Sequence, residues 1–457
     1  MRVPERAPGI GEILSTGILA GDRVQSIWEA AREQTAAERY MHWDDLRHRT
    51  PPLGLTREEW WAGIKLSRAS LYKPVALTDK TARPFEFCLP DLAQRRLLYI
   101  DQNMSGQIVI SEEVTNASTR DRYIVSSLIE EAITSSQLEG AATTHQVAKE
   151  MIRSGRSPRD KSERMILNNY RAMQRVRELR DEPLTPALVL ELHKIVSRDT
   201  LLSREAEGRL QTPDDDRVLI WTPGIDPRVL HQPPAAAELP KRLADMCAFA
   251  NGGLDTGFMH PVIRAIILHF WLAYDHPFED GNGRTARTLF YWSMLHQNYW
   301  LAEFVPISRV LRRAPVQYAQ SFLRTETDDN DLTYFLLYNL KVIEKAIRDL
   351  HIYLRDKITE IRDAEQYIRE TVGLNHRQIA LLGHAMRHPG HVYTIESHKR
   401  SHNVVYQTAR TDLLALEAKG YLDTLKLGRA LGFTPSQDLS QRVKQPMRPH
   451  APHLVPG

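Results

Sequence analysis

The sequence is poor in cysteine and in net charge, and each shortage excludes a class of protein. Among 457 residues the two cysteines, Cys88 and Cys247, lie far apart and form no CxxC pair. This excludes a disulfide scaffold and a thiolate zinc ribbon, and it is typical of a reducing compartment. The formal net charge of +3 argues against polyanion binding by the chain as a whole.

Long apolar runs are also missing. The first residues, MRVPER, lack the apolar core of a secretory signal. The most apolar run, 262–274, contains Arg264 and His269 and is too short to cross a bilayer. With 42% hydrophobic and 26% charged residues, the composition is that of an ordinary globular protein. We therefore expect a cytoplasmic protein without a membrane partner.

Apolar residues recur at three- and four-residue spacing along most of the chain, which predicts a mainly α fold. The predicted helices are 22–37, 56–69, 121–138, 162–180, 186–197, 261–274, 284–296 and 332–354. An exception is the apolar run Val218, Leu219, Ile220 and Trp221, which lies between an acidic and a proline-rich stretch. This run predicts a short β-hairpin laid over a helical body.

The segment HPFEDGNGRTAR, residues 276–287, carries the strongest chemical signal. Gly281, Asn282 and Gly283 readily adopt positive φ, so their amide N–H groups can form a concave anion site. A helix is predicted to begin directly behind them, and its N-terminus also favours a phosphate. Arg284 and Arg287 lie three residues apart on the first turn of that helix and can clamp further phosphate oxygens.

Two further side chains supply the remaining parts of a phosphoryl-group transfer site. Asp280 offers a hard oxygen ligand beside the anion site, suited to Mg²⁺ held together with a nucleotide. His276 offers a base whose ordinary pKa lies near neutrality. The sequence lacks a Walker-A motif and the HRD and DFG triplets, which argues against conventional kinase chemistry.

These twelve residues resemble the HxFx(D/E)GNGRxxR signature of the Fic family (filamentation induced by cAMP), without a departure from it. The resemblance covers about residues 100–350. It implies transfer of AMP from ATP to a hydroxyl side chain of a protein, the chain itself among the candidates. The intact signature favours AMP transfer over the phosphate or phosphocholine chemistry of relatives with altered motifs.

The resemblance also implies a role for each residue of the motif. His276 would deprotonate a Ser, Thr or Tyr hydroxyl, which would then attack the α-phosphate of ATP. Asp280 would hold Mg²⁺. The anion hole would consist of Gly281, Asn282 and Gly283, and the β- and γ-phosphates would be gripped by Arg284 and Arg287.

An upstream segment, Ser135-Ser-Gln-Leu-Glu139-Gly140, adds a second signal. Ser135 and Glu139 share a helix face, and Gly140 is a natural helix stop. A carboxylate at a helix C-terminus opposes the helix dipole, and such a conflict often marks a functional site. The segment resembles the family's inhibitory pattern (S/T)xxxE(G/N), which implies that Glu139 pairs with Arg287 and blocks productive ATP binding.

The predicted hairpin has two interpretations. A strand edge formed by Val218, Leu219 and Ile220 could pair with the main chain of a target and present its hydroxyl to His276. In the Fic family the hairpin at this position is called the flap. Alternatively, the hairpin only covers the core.

Residues 374–457 hold eleven Lys/Arg and five Asp/Glu, so the positive charge is concentrated there. A predicted helix, a second helix from Thr394, a longer helix to Lys419 and two strands follow in the order of a winged helix-turn-helix. Val405 stands where a Ser or Thr N-cap is usual. This fold binds DNA or protein. The expected DNA contacts are Tyr406, Gln407, Arg410, Thr411 and, on the wing, Arg429.

The predicted organisation has five parts. They are an N-terminal helical cap (1–95), a Fic catalytic domain (96–350) with an inhibitory helix near 121–140, a connecting helix (351–373), a winged helix-turn-helix (374–435) and a flexible tail (436–457). The leading functional hypothesis is an autoinhibited protein adenylyltransferase. A DNA-binding regulator with a nucleotide-sensing Fic domain and an enzyme that removes AMP are the alternatives, and a homo-oligomer is left open.

Overall fold

The computed structural model describes residues 2–15, 23–36, 39–105, 117–221, 229–254, 257–370, 373–427, 430–437 and 439–444. The chain divides into two compact units, Met1–Ile108 with Ser126–Ile347, and Val109–Val125 with Arg348–Gly457. Most of the described residues are helical, as predicted. Whether the five predicted parts are separate domains stays a prediction. Among the described residues, no helix has the length and hydrophobicity needed to cross a bilayer.

The first unit begins with short helices and a two-stranded antiparallel sheet. Its elements here are α1 (Ile10–Ser15), α2 (Val24–Ala36), α3 (Trp43–Leu46), α4 (Arg57–Ala69), β1 (Lys73–Thr78), β2 (Pro84–Phe87) and α5 (Asp91–Met104). Helix α4 begins at a capping box, in which Thr56 and Glu59 each bond the other's backbone N–H. The tryptophans Trp43, Trp60 and Trp61 are buried, whereas Trp28 is 42% exposed. The strands were not predicted from the sequence.

The rest of the first unit surrounds two long buried helices. Its elements are α6 (Ala117–Leu138, whose first residues belong to the second unit), α7 (His145–Ser154), α8 (Lys161–Glu178), α9 (Pro186–Ser197), β3 (Ile220–Trp221), β4 (Val229–His231), α10 (Leu239–Ala250), α11 (Pro261–Asp275), α12 (Asn282–His296), α13 (Ile307–Arg313) and α14 (Pro315–Thr327). Helices α11 and α12 pack on each other, α8 and α9 pack on α12, and α10 packs on α11. Nearly every residue of α11 and α12 is buried, so the segment that joins them lies at the end of the core.

Helix α15 (Thr333–Glu370) is longer than the sequence predicted. The prediction ended this helix at Leu354 and placed a separate connecting helix after it. From Leu354 to Glu370 the sequence contains neither glycine nor proline, so nothing in it stops the helix. Gly373, three residues beyond its end, has φ of 102°, in the left-handed region that favours glycine.

The second unit contains a compact module with its own core. Its further elements are α16 (His376–Arg387), β5 (Tyr393–Thr394), α17 (Ile395–His402), α18 (Tyr406–Ala418), β6 (Leu422–Leu427), β7 (Ala430–Pro435) and α19 (Leu439–Lys444). The three strands form an antiparallel sheet in the order β5-β7-β6. Leu382, Leu413, Leu416 and Phe433 are fully buried between helices and sheet. Its assignment as a winged helix-turn-helix stays a prediction.

Candidate active site

The candidate site lies on the segment that joins α11 to α12. Helix α11 ends at His276, which caps it in the left-handed conformation with φ of 44°, and Pro277 prevents its continuation. Gly281, with φ of 84°, precedes the first turn of α12. These two left-handed residues reverse the chain and leave the N-terminus of α12 facing the segment 276–281.

Phe278 anchors this segment in the core. It is fully buried, and its ring stacks on His193 of α9 with centroids 3.7 Å apart. The Asn282 side chain accepts a hydrogen bond from the Phe278 N–H at 2.9 Å and donates to the Phe278 carbonyl at 2.8 Å. Asn282 therefore shapes the turn with its side chain, and only its backbone N–H is left to face an anion.

His193, on α9, also holds this segment by a hydrogen bond to its backbone. Its Nδ1 accepts from the Gly208 N–H at 3.0 Å, so its Nε2 carries the proton and donates to the Asp280 carbonyl at 2.9 Å. Burial lowers the pKa of His193 to about 4 and keeps this neutral tautomer in place. The sequence analysis missed His193, because a single histidine in an amphipathic helix has no motif that distinguishes it from a core residue.

Burial, together with the positive charges of His231 and Arg217, lowers the pKa of His276 to about 4. The Ala273 carbonyl acts on the ring as a hydrogen-bond acceptor and raises this pKa, but by less. Near neutral pH, His276 is therefore a neutral imidazole with one unprotonated nitrogen, as a general base requires.

The Glu139 carboxylate lies against the first turn of α12. A Cβ atom added to Gly283 would clash with Glu139 Oε1 where it now lies, so the glycine leaves room for this contact. Arg287 Nη2 donates to the same oxygen at 2.8 Å. The carboxylate thus occupies the positive end of a helix and pairs with an arginine, an environment that also suits a phosphate group.

Ser135 contributes to the same contact, four residues before Glu139. The Arg287 Nε donates to Ser135 Oγ at 2.8 Å, and its Nη2 donates to the Ser135 carbonyl at 3.0 Å. Gly140 follows in the left-handed conformation with φ of 90° and turns the chain away after α6. The structure therefore brings together Ser135, Glu139 and Arg287, which the sequence had grouped by resemblance.

Arg284 is fully buried, and its guanidinium is only partly satisfied. Its Nη1 donates to the Val196 carbonyl at 3.0 Å. Its Nε and Nη2 have no hydrogen-bond partner within the described part of the chain, and Nη2 stands 3.8 Å from Asp280 Oδ2. A buried cation with two free donors calls for an anionic ligand.

Asp280 is half-exposed at the rim of this site. Its Oδ1 accepts from the Gly281 N–H at 2.5 Å, and its second oxygen faces Arg284. The described residues contain no cluster of three or more side chains able to hold a metal. A single carboxylate fits Mg²⁺, which binds through one or two carboxylates together with phosphate oxygens.

The hairpin β3–β4 pairs Ile220 with His231 and Trp221 with Val229. Val218 and Leu219 precede the strand, and they are half-buried, as is Ile220. Arg217 and His231, which the sequence analysis also missed, attach this hairpin to the end of α11.

The residues predicted to contact DNA lie on α18 of the second unit. Tyr406, Gln407, Arg410 and Thr411 are exposed on one face. Ala409, Leu413 and Leu416 are buried on the opposite face. Val405 makes no side-chain cap, as its residue type predicts. Arg429 lies outside the described residues.

Comparison with known proteins shows the class of domain to which this site belongs. Residues 183–294 match the model of the Fic/DOC family, and this range contains the whole segment from His276 to Arg287. The structure is similar to that of a Fic family protein from Desulfovibrio desulfuricans G20, with a TM-score of 0.50 and 16% identity. The match covers 78% of this chain and 98% of that one, and it shows the fold. The chain therefore contains a Fic domain.

Two curated relatives share short stretches of sequence. The chain is 48% identical over 61 residues to the protein adenylyltransferase Fic of Nematostella vectensis, and 44% identical over 59 residues to the protein adenylyltransferase fic-1 of Caenorhabditis briggsae. Each stretch is 13% of this chain, and it spans 14% and 11% of the respective relatives.

Proposed function

We propose that this protein is an adenylyltransferase that transfers AMP from ATP to a hydroxyl side chain of a protein, and that Glu139 inhibits it. The observation that carries the proposal is the buried guanidinium of Arg284, whose Nε and Nη2 have no hydrogen-bond partner among the described residues. It lies beside the N-terminus of α12, where phosphate groups bind well. The two relatives are protein adenylyltransferases by name, which supports AMP as the group transferred.

The proposed reaction begins when the unprotonated nitrogen of His276 takes the proton of the target hydroxyl. The hydroxyl oxygen forms a bond to the α-phosphorus of ATP, and the bond from that phosphorus to the β-phosphate bridging oxygen breaks. Pyrophosphate leaves, and AMP stays on the target as a phosphodiester. The lowered pKa of His276 keeps the imidazole able to accept the proton at neutral pH.

Arg284 and the backbone N–H groups of Asn282 and Gly283 would hold the phosphates of ATP and stabilise the charge that develops on them. The Gly281 N–H would join them once its bond to Asp280 Oδ1 is released. Asp280 would hold Mg²⁺ together with phosphate oxygens, and the ion would offset the charge of the leaving pyrophosphate there. The main-chain edge at Val218 to Ile220 would align the target segment so that its hydroxyl reaches His276.

Inhibition follows from where the Glu139 carboxylate lies. It pairs with Arg287 and covers Gly283, so it competes for the donors that a terminal phosphate of ATP needs. Two negative groups cannot share this site without repulsion. Productive ATP binding would therefore require that Glu139 move away.

The test is incorporation of label from α-³²P-ATP into protein. Glu139→Gly should raise incorporation strongly, and Glu139→Gly with His276→Ala should abolish it. The double variant is the matched control, because it keeps the open phosphate site and lacks the base. Absence of label from α-³²P-ATP in the Glu139→Gly protein, supplied with its own chain and with lysate proteins, would refute AMP transfer.

Two other outcomes would identify a different reaction. Label that arrives only from γ-³²P-ATP would indicate a kinase. Release of AMP from a modified protein, lost on Glu139→Gly, would indicate that Glu139 positions a water molecule for AMP removal.

DNA binding by the second unit is a second candidate function. The exposed polar face of α18 and the excess of Lys/Arg over Asp/Glu in residues 374–457 support it. The chain should shift the mobility of DNA from upstream of its own gene. Arg410→Ala should weaken that shift, whereas Arg387→Ala on α16 should weaken it less. No shift at low salt would contradict DNA binding and leave AMP transfer untouched.

A further inference from the structure

The end of α11 is held by the segment that carries the hairpin. The last carbonyls of a helix have no partner within it and must be satisfied from elsewhere. Here four consecutive carbonyls accept bonds from residues 211–231. They are Tyr274 O with His231 Nε2 at 2.7 Å, Asp275 O with Arg217 Nη2, His276 O with Arg217 Nη1 at 2.7 Å, and Pro277 O with the Gln211 N–H at 2.9 Å.

Among these residues, Arg217 bonds groups from several separate parts of the chain. Its Nε donates to the Pro234 carbonyl at 2.8 Å, beyond the second strand of the hairpin, and its Nη1 also bonds the Gln211 side chain. One planar guanidinium thus joins both sides of the hairpin to Asp275 and His276. Lysine could not reproduce this arrangement, because its ammonium group lacks the rigid fork of five N–H donors.

His231 bonds the backbone of Tyr274, the residue before Asp275, and it does so as a cation. Its Nδ1 faces the Glu326 carboxylate at 2.8 Å, and its Nε2 faces the Tyr274 carbonyl. Both partners accept, so both ring nitrogens must carry a proton, which only the charged imidazolium does. Burial opposes this charge, yet Glu326 and the Tyr274 carbonyl raise the pKa of His231 above its ordinary value.

We propose that Arg217 and His231 are positioning residues that hold the backbone of Tyr274 to His276 and thereby fix the direction of the His276 imidazole. This rests on the proposed adenylyl transfer, and it adds that the hairpin is part of the frame of the base. His276 has a left-handed backbone, which costs a non-glycine residue free energy and needs such support. A target that binds the hairpin edge would therefore act on the same support that orients the base.

The test compares Arg217→Met with Arg209→Met in the Glu139→Gly protein. Arg209 lies eight residues earlier and bonds Asp215 and the Leu210 carbonyl, so it is a matched control. We expect kcat for AMP transfer to fall about tenfold to a hundredfold for Arg217→Met, because small displacements of a reacting group cost that much. The Kd of α,β-methylene-ATP should stay unchanged, since the phosphate donors lie on α12. Arg209→Met should leave both kcat and the Kd of α,β-methylene-ATP unchanged. Arg217→Lys should recover only part of kcat.

A second readout does not depend on turnover. In ¹³C-histidine NMR, Arg217→Met should raise the pKa of His276, because the substitution removes the positive charge of Arg217, which lowers that pKa. The acidic limb of the kcat profile should move to higher pH in step. Unchanged kcat in Arg217→Met, or an equal loss of ATP affinity, would overturn the proposal. If the Glu139→Gly parent transfers no AMP, the proposed function fails. An unchanged His276 titration in Arg217→Met would then still overturn the positioning role.

Discussion

At the scale of single residues, the hydrogen bonds of Arg287 determine what happens to its guanidinium when the Glu139 carboxylate is removed. The guanidinium donates to Ser135 Oγ, to the Ser135 carbonyl and to Glu139 Oε1. Loss of the carboxylate removes one of these three bonds and leaves the other two in place. Arg287 therefore stays ordered when Glu139 is changed, and its freed donor becomes available to a ligand.

The substitution Glu139→Gln tests the charge of this contact while keeping its shape. An amide cannot form an ion pair with Arg287, so ATP should displace it more easily and bind more tightly than to the unchanged protein. Glu130→Gln is the matched control, since Glu130 lies on α6, the helix directly before Glu139, and pairs with His145. Calorimetric titration with ATP would measure the difference, and an equal gain for both variants would contradict the role of Glu139.

Gly283→Ala tests how closely the carboxylate approaches α12. Alanine is favoured over glycine within a helix by about 1 kcal/mol. In the Glu139→Gly background the substitution should therefore be neutral or stabilising. In the presence of Glu139 the gain in stability should be smaller, because the carboxylate must move away from the new methyl group and lose its present contact with α12. Urea unfolding of the unchanged protein, the two single variants and the double variant gives the coupling free energy between the two positions. If the two changes in the free energy of unfolding are additive, the two groups do not touch.

The sequence allowed the linear motif to be predicted, since His276, Asp280 and the arginines lie within twelve residues. It also grouped Ser135 and Glu139 by their spacing and by resemblance. It did not reveal Arg217, His193 or His231. Each of them bonds at least one backbone carbonyl of a residue far away in the chain. Every residue type has a backbone carbonyl, so the sequence does not indicate which carbonyls take part.

At the scale of elements, the turn between α11 and α12 depends on the side chain of Asn282. This amide donates to one backbone group of Phe278 and accepts from the other. Few side chains other than an amide offer both functions at this length. The buried Phe278 ring then fixes the depth of the turn in the core.

Asn282→Asp should therefore destabilise the first unit. The carboxylate can accept from the Phe278 N–H but cannot donate to its carbonyl, which leaves a buried acceptor unpaired beside a negative charge. The expected loss in the free energy of unfolding is ~1–3 kcal/mol. Urea unfolding measures this loss. A protein as stable as the unchanged one would contradict the role assigned to the amide.

The helices were predictable where the sequence contains both a periodic apolar face and a stop signal. Helix α9 begins at Pro186 and ends at Ser197 as predicted, and α11 extends one residue beyond its predicted end. The sheet of β1 and β2 was not predicted. Its strands begin near prolines, and they alternate in burial too briefly for a clear period-two pattern.

At the scale of the whole molecule, the tryptophans are unevenly distributed. All eight tryptophans of the sequence lie within the residue ranges of the first unit. Their fluorescence therefore reports unfolding of that unit, and the second unit contributes none of it. This gives a direct way to follow the stability of the Fic domain within the full chain.

Followed in this way, the stability of the first unit should fall as the pH is lowered from 6.5 towards 4. Burial lowers the pKa of His42 and His193 to about 4, and it lowers that of His269 further. The unfolded chain binds protons at these histidines in that window and the folded chain does not, so each contributes a loss of up to about 1.4 kcal/mol per pH unit. His231 acts in the opposite direction, because its pKa is raised in the fold and its contribution is lost as the pH rises.

The variant His42→Asn isolates one of these contributions. Asparagine can still accept from the Asp44 N–H at the start of α3, as His42 Nδ1 does at 3.0 Å, but it does not titrate. The pH dependence of the urea midpoint should therefore become shallower for His42→Asn. A slope equal to that of the unchanged protein would show that His42 is not held neutral by the fold.

Glu139 and Gly283 belong to the same chain, and this makes their contact insensitive to dilution. The local concentration of a tethered group is set by the chain that carries it and not by the amount of protein in solution. Lowering the protein concentration would thus leave the occupancy of this contact unchanged. ATP, which arrives from solution, would have to compete with the fixed effective molarity of that carboxylate, and the outcome would depend on the ATP concentration and on the relative affinities of the two groups.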